Sequence, residues 1–213
     1  MTRKWLSDGR WIAGMAGGII GFPLAVVLHE LGHFVAYLAF GFPDPSLRYA
    51  SAGWSGAGEF DALVRAGNIE AASAIAEPWQ VAIGAAAGPL VSYLTLIGCI
   101  LAVRRFGPGP FSVVLVVGLV TPLRWVIAIP ILGLKITGER RTSNVDEGWV
   151  AELTGIPESL LLLPGLVCLV LGYWILVKAI PRDGRMRVLV PALAGAAVGG
   201  ILWVQWLGPV VLP

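Results

Sequence analysis

The only two histidines of this 213-residue chain, His29 and His33, stand four positions apart with Glu30 between them. On a helix, residues i and i+4 share one face, so both imidazoles can bind one zinc ion while the intervening carboxylate reaches a water beside it. His29-Glu30-Leu31-Gly32-His33 is thus the pattern of a zinc hydrolase, with two ligands and a general base on one helical turn. A catalytic zinc commonly takes three protein ligands and leaves its fourth position to water. There is no third histidine, and Cys99 and Cys168 both fall in apolar segments, so the third ligand is expected to be a carboxylate.

The element that must carry this motif is a membrane helix. The motif lies in an apolar run from Trp11 to Phe42, with Leu24-Ala25-Val26-Val27-Leu28 before it and Phe34-Val35-Ala36-Tyr37-Leu38 after it. Ionisable groups inside a span are costly and mark functional sites by default. The whole chain agrees: 57% of it is hydrophobic, 13% charged, and its mean hydropathy of +0.81 excludes an ordinary soluble domain. A net charge of +2, with scattered basic residues, gives no sign of nucleic-acid binding.

At about 20 residues per span, five spans are expected, over 11–35, 79–103, 111–134, 159–180 and 188–211. The first is read as retained rather than cleaved as a signal peptide, because no small-residue cleavage pattern precedes the motif. Pro122 and Pro130 predict that the third span is kinked or broken. Small residues four apart, at Gly14/Gly18, Gly17/Gly21, Gly84/Gly88 and Gly195/Gly199, predict close helix packing within one bundle. Gly107-Pro108-Gly109-Pro110 reads as a tight turn, and Trp5, Trp11, Trp79, Trp203 and Trp206 as interfacial belts. The segment 41–77 predicts a short hairpin or a helix lying in the interface.

A second polar segment, 135–158, follows the third span. Ser143-Asn144-Val145-Asp146 fits a helix start, and the apolar stripe Trp149, Val150 and Leu153 ends at Gly155 before Pro157. Asp146 is thus expected in the first turn of a short helix, as a metal ligand or as a member of a capping box begun by Ser143. Whichever way the chain is inserted, the distal end of the first span and this segment share one membrane face. Asp146 and Glu147 are therefore the leading third ligands, ahead of Glu59, Asp61, Glu70, Glu77 and Glu152, and on a helix only one of the adjacent pair can face the histidines squarely. Connecting segments carry nine Lys or Arg on the N-terminal side of the membrane and five on the other, which favours a cytoplasmic N-terminus. Arg124, within the third span, is expected to snorkel, to pair with a carboxylate such as Glu152, or to position substrate.

Three motifs in order resemble the site-2 protease family of intramembrane zinc metalloproteases: the His29–His33 element, Ala87-Gly88-Pro89-Leu90-Val91-Ser92 in the second span, and Ser143-Asn144-Val145-Asp146-Glu147-Gly148 after the third. The resemblance implies that His29 and His33 bind zinc, that Glu30 is the catalytic base and that the aspartate of the last element completes the site. Two departures are visible. The family usually has aspartate directly followed by glycine, where Glu147 intervenes here, and it often has an asparagine where Ser92 stands. Many relatives also hold their metal near the cytoplasmic face, opposite to the face that the charge count favours here.

The expectation is therefore an all-α polytopic membrane protein with about five transmembrane helices and a site-2-protease-like three-helix core. That core spans 1–158, and two further transmembrane helices follow over 159–213. The function expected is a zinc metalloendopeptidase of a prokaryotic cell membrane that cuts a membrane-protein substrate in or near the bilayer. Gly88, Pro89, Ser92 and Arg124 are expected in substrate or structural roles. The alternative is a catalytically inactive membrane scaffold that retains the fold. Glu30 argues against it, since a purely structural metal site needs no base between its ligands.

Overall fold

The structure, a computed structural model, describes residues 9–107, 113–138 and 144–213. The turn expected beyond Gly107, Ser143, and the belt residue Trp5 lie outside them. Five helical segments are long and apolar enough to cross a membrane: Trp11–Ala39, Pro78–Phe106, Val113–Ile136, Glu158–Ala179 and Arg185–Val211. Their outward faces present large apolar side chains such as Leu38, Leu94, Leu101, Val170 and Ile201, each more than half exposed, as expected of helices solvated by lipid.

Helix α1 (Gly9–Ala39) carries the histidine motif in its distal half. A two-stranded hairpin follows, β1 (Ser46–Arg48) and β2 (Ser51–Gly53), paired antiparallel with Leu47 opposite Ala52. Two short helices come next, α2 (Ala57–Arg65) and α3 (Ile69–Ser73). The segment 41–77 thus holds both a hairpin and helices, where either alone was expected. Its aromatic residues close over the end of α1: Phe42, Trp54 and Phe60 pack with Tyr37, Val64 and Val81 into a core, with the Phe42 and Trp54 ring centroids 4.7 Å apart.

Helix α4 (Pro78–Phe106) is the second span, opened by Pro78 where a missing N–H does no harm. The third span is broken as Pro122 predicts: α5 (Val113–Val120) gives way to a 3-10 segment, Thr121–Ile127, before α6 (Ala128–Ile136). Helix α7 (Asp146–Thr154) begins at Asp146, capped by extended Val145 without a side-chain hydrogen bond, and the capping box expected from Ser143 falls outside the described residues. It ends at Gly155, whose φ of 71° is the left-handed stop that glycine adopts readily. The fourth span is α8 (Glu158–Ala179). The fifth is α9 (Arg185–Leu202), a π-helical turn over Trp203–Leu207, and a last turn, α10 (Gly208–Val211).

The most extensive helix pairing is between α1 and α9, followed by α1 with α4. Glycine makes both possible. A Cβ on Gly18 would strike the α9 backbone at Ala192, and one on Gly195 would strike Met15 of α1. Gly17 and Gly21 give room to Val116 of α5. The small-residue pairs thus pack the bundle itself, and α1 is its axis.

Candidate metal centre

α1 and α4 meet through a notch. His29, His33 and Tyr37 recur at intervals of four on α1, and Gly84, Gly88 and Ser92 do the same on α4. Gly84 leaves room for the Tyr37 ring and Gly88 for the His33 imidazole, which a Cβ would strike at Nε2. The Gly84 carbonyl accepts a hydrogen bond from His33 Nδ1 at 2.8 Å, and Ser92 Oγ lies 3.0 Å from His29 Nδ1. Tyr37 stacks on His33 with ring centroids 6.4 Å apart. At about 1.5 Å per residue, His33 lies about 9 Å inside the end of α1.

These contacts decide which nitrogen faces the centre. A carbonyl only accepts, so Nδ1 of His33 carries a proton, and when the ring is neutral Nε2 presents a lone pair. His33 Nε2 is 3.3 Å from His29 Nε2, and Asp146 supplies Oδ2 at 3.1 Å from His29 Nε2 and Oδ1 at 3.5 Å from His33 Nε2. Two imidazole nitrogens and an anionic carboxylate converge on one point, where only a proton or a metal cation reconciles them. The three side chains can each offer a ligand atom, and these atoms lie within 4.8 Å of one another. Among the described residues this is the one group of three such side chains, so Glu59, Asp61, Glu70, Glu77 and Glu152 join no such cluster.

Asp146 and Glu147 part company here. Burial alone would raise the Asp146 carboxyl, but its hydrogen bonds with His29 and His33 outweigh that and hold it well below the usual carboxylate range. It is an anion at any physiological pH. Glu147, about 100° further around α7, turns the other way and is buried, with Oε1 accepting from Trp125 Nε1 at 3.3 Å and from Arg124 Nη1 at 3.1 Å. Arg124 Nη2 donates to Asp146 Oδ2 at 2.7 Å, so one guanidinium spans both carboxylates. The carboxylates Arg124 meets are thus Asp146 and Glu147 rather than Glu152, and the 3-10 break after Pro122 carries Arg124 and Trp125 to them. Trp125 is held in turn by Tyr93, stacked at 4.7 Å.

Glu30 is flanked by His29, His33 and Asp146, and the Ala52 backbone in β2 lies near its carboxylate. The register explains this. Arg48 and Ser51 close the two-residue turn, so the next pair, Leu47 and Ala52, has its peptide groups pointing outward, away from the ladder. Pro89 lies buried in α4 beside Gly88. Sequence reasoning missed Gly84, Tyr93, Trp125 and Ala52. The four-residue spacing from Gly84 to Ser92, matching that of the histidines, was the available signal for the first, while the others depend on tertiary contacts. No protein-family model, no curated protein and no solved structure matches the chain.

Proposed function

We propose that this membrane protein is an intramembrane zinc metalloprotease, with His29, His33 and Asp146 as ligands and Glu30 as catalytic base. The observation that carries the reading is the convergence of the three ligand atoms within 4.8 Å beside a glutamate that binds none of them. The donor set, two imidazoles and one carboxylate, suits zinc, and the Gly84 carbonyl, Ser92 and Arg124 fix its orientation as outer partners of zinc ligands commonly do. Zinc supplies Lewis-acid polarisation of a scissile carbonyl and makes water a stronger acid.

The chain's own residues do the rest. Glu30 accepts a proton from the attacking water and returns it to the leaving amine. The outer edge of β2 lies beside this base, and an unwound stretch of substrate can pair with it as an added strand, which exposes carbonyls that a helical substrate keeps in its own hydrogen bonds. A site about 9 Å inside a span is reached in the bilayer by a membrane-protein segment, and in detergent by a soluble extended chain as well.

The test is metal analysis of the detergent-purified protein together with hydrolysis of fluorescein-labelled casein, an extended probe that needs no unwinding. Wild type is expected to hold one zinc and to cut. His29→Ala loses the metal, whereas Glu30→Gln keeps it and loses about 10²- to 10⁴-fold in rate. Hydrolysis by Glu30→Gln at the wild-type rate would exclude this mechanism.

A further inference from the structure

The fifth span ends by gripping the hairpin. Trp203, expected in an interfacial belt, is instead buried at 8% exposure, and its indole Nε1 donates to the Tyr49 carbonyl at 2.7 Å. The Tyr49 N–H donates to the Leu212 carbonyl at 3.0 Å. Both peptide groups of the turn residue Tyr49 are therefore held by one segment more than 150 positions away in the chain. Gly208 seats the contact, since a Cβ there would come within 2.7 Å of Tyr49 Cβ.

The π turn at Trp203–Leu207 is what aims these groups. A π turn fits one more residue into the helix, which rotates everything after it by about 100° relative to an uninterrupted helix. That rotation brings Gly208 and Leu212 onto the side where Trp203 already meets the hairpin. Upstream, α9 is locked backbone to backbone on α1 through Gly18, Gly195 and Gly199, so the anchor is referenced to the helix that carries the histidines and Glu30. The hairpin is thus held at Tyr49 by the fifth span, with Ala52 beside Glu30.

We propose that Trp203 is a positioning residue that sets the β2 edge against Glu30 through its hydrogen bond to Tyr49, and so determines how well an extended substrate docks; the docking half of this rests on the protease reading. Neither zinc nor the base is held by Trp203. Loosening the turn therefore weakens the substrate's seat, and binding energy is drawn on to re-form it, which raises KM while kcat stays near its original value.

Trp203→Phe removes the indole N–H together with part of the buried ring, and Trp206→Phe, at an exposed site, is the control for the change of ring. Three readouts decide the matter: zinc content, amide hydrogen exchange along the chain, and KM and kcat on fluorescein-labelled casein. In Trp203→Phe the exchange of 46–53 is expected to speed up about five- to tenfold, as the loss of one buried hydrogen bond implies. KM rises by the same factor, with zinc content, kcat and exchange across 185–202 unchanged. A chain ending at Val211, which lacks Pro213 and Leu212 with the carbonyl that Tyr49 bonds but keeps Trp203, gives the same signature independently. Unaltered exchange at 46–53 in both variants overturns the anchor whatever the activity. Faster exchange spread equally over 185–202 makes Trp203 a packing residue and overturns positioning, as does faster exchange at 46–53 with KM unmoved. If wild type cuts no casein, the protease reading falls, and the exchange data still decide whether Trp203 holds the hairpin.

Discussion

The two faces of α1 use glycine for opposite ends. Toward α9, Gly18 on α1 and Gly195 and Gly199 on α9 remove side chains so that two backbones touch, and a Cβ at any of them would meet main chain. Toward α4, Gly84 and Gly88 remove side chains so that aromatic rings from α1 can enter, and a Cβ would meet the Tyr37 or His33 ring. The first interface leaves no room at these positions. The second opens a notch one ring wide and lines it with a carbonyl and a hydroxyl. Identical small-xxx-small spacing therefore yields a structural seam in one place and a site in the other, and what the partner helix contributes at the facing positions is the difference.

Substitutions on the two seams should break in different ways. Gly195→Val forces α9 off α1, where neither backbone can yield, and overpacking of this kind costs about 1–3 kcal/mol or more. A lowered thermal midpoint with loss of both zinc and activity is expected, because α1 itself loses its support. Gly88→Ala instead displaces the His33 ring, which can rotate away. The loss of thermal stability should stay at the low end of the overpacking range, about 1 kcal/mol, while zinc content falls sharply. Measuring zinc by mass spectrometry beside the thermal midpoint separates the two cases, and a Gly88→Ala protein that holds wild-type zinc would remove the notch from the site.

The same comparison shows where sequence reasoning reaches and where it stops. The histidine pair, Glu30 and the shared membrane face of Asp146 are legible because they depend on local spacing and on counting spans. The choice between Asp146 and Glu147 is not, since it turns on Arg124 and Trp125 arriving from a 3-10 segment whose facing differs from that of an unbroken helix. Pro122 marks the break without giving its direction. Trp203 illustrates a further limit: tryptophan near a span end has the same local pattern whether it meets lipid headgroups or, as here, a carbonyl contributed by residue 49.

Asp146 and Glu147 sharpen the contrast on a smaller scale, within one turn of α7. Asp146→Ala removes a ligand and should empty the site of zinc with modest effect on folding. Glu147→Ala leaves the Trp125 indole and one arm of Arg124 unpartnered in the interior, which costs about 1–3 kcal/mol. Zinc should remain bound in that variant, with reduced thermal stability. Zinc lost only in Glu147→Ala would transfer the ligand role, and zinc retained in both would place the third ligand elsewhere.

The smallest effect expected concerns how the two imidazoles are supported. His33 leans on the Gly84 carbonyl, a backbone group that accepts and never donates, so its tautomer is set by the fold rather than by a replaceable side-chain partner. His29 leans on the Ser92 hydroxyl, which both donates and accepts and is itself replaceable. Ser92 is buried at 3% exposure, so no bulk water substitutes for it. Ser92→Ala therefore frees His29 Nδ1 to lose its proton to Nε2 and to turn out of line. Outer-partner losses of this type typically cost about 10-fold in metal affinity. Competition against a zinc chelator should read that tenfold loss in Ser92→Ala, with casein hydrolysis restored at saturating zinc because the ligand itself remains. Ser92→Thr keeps the hydroxyl and should retain wild-type affinity. Equal affinity in Ser92→Ala and wild type would mean that His29 is held by Asp146 and the metal alone, and that the serine is packing in the notch.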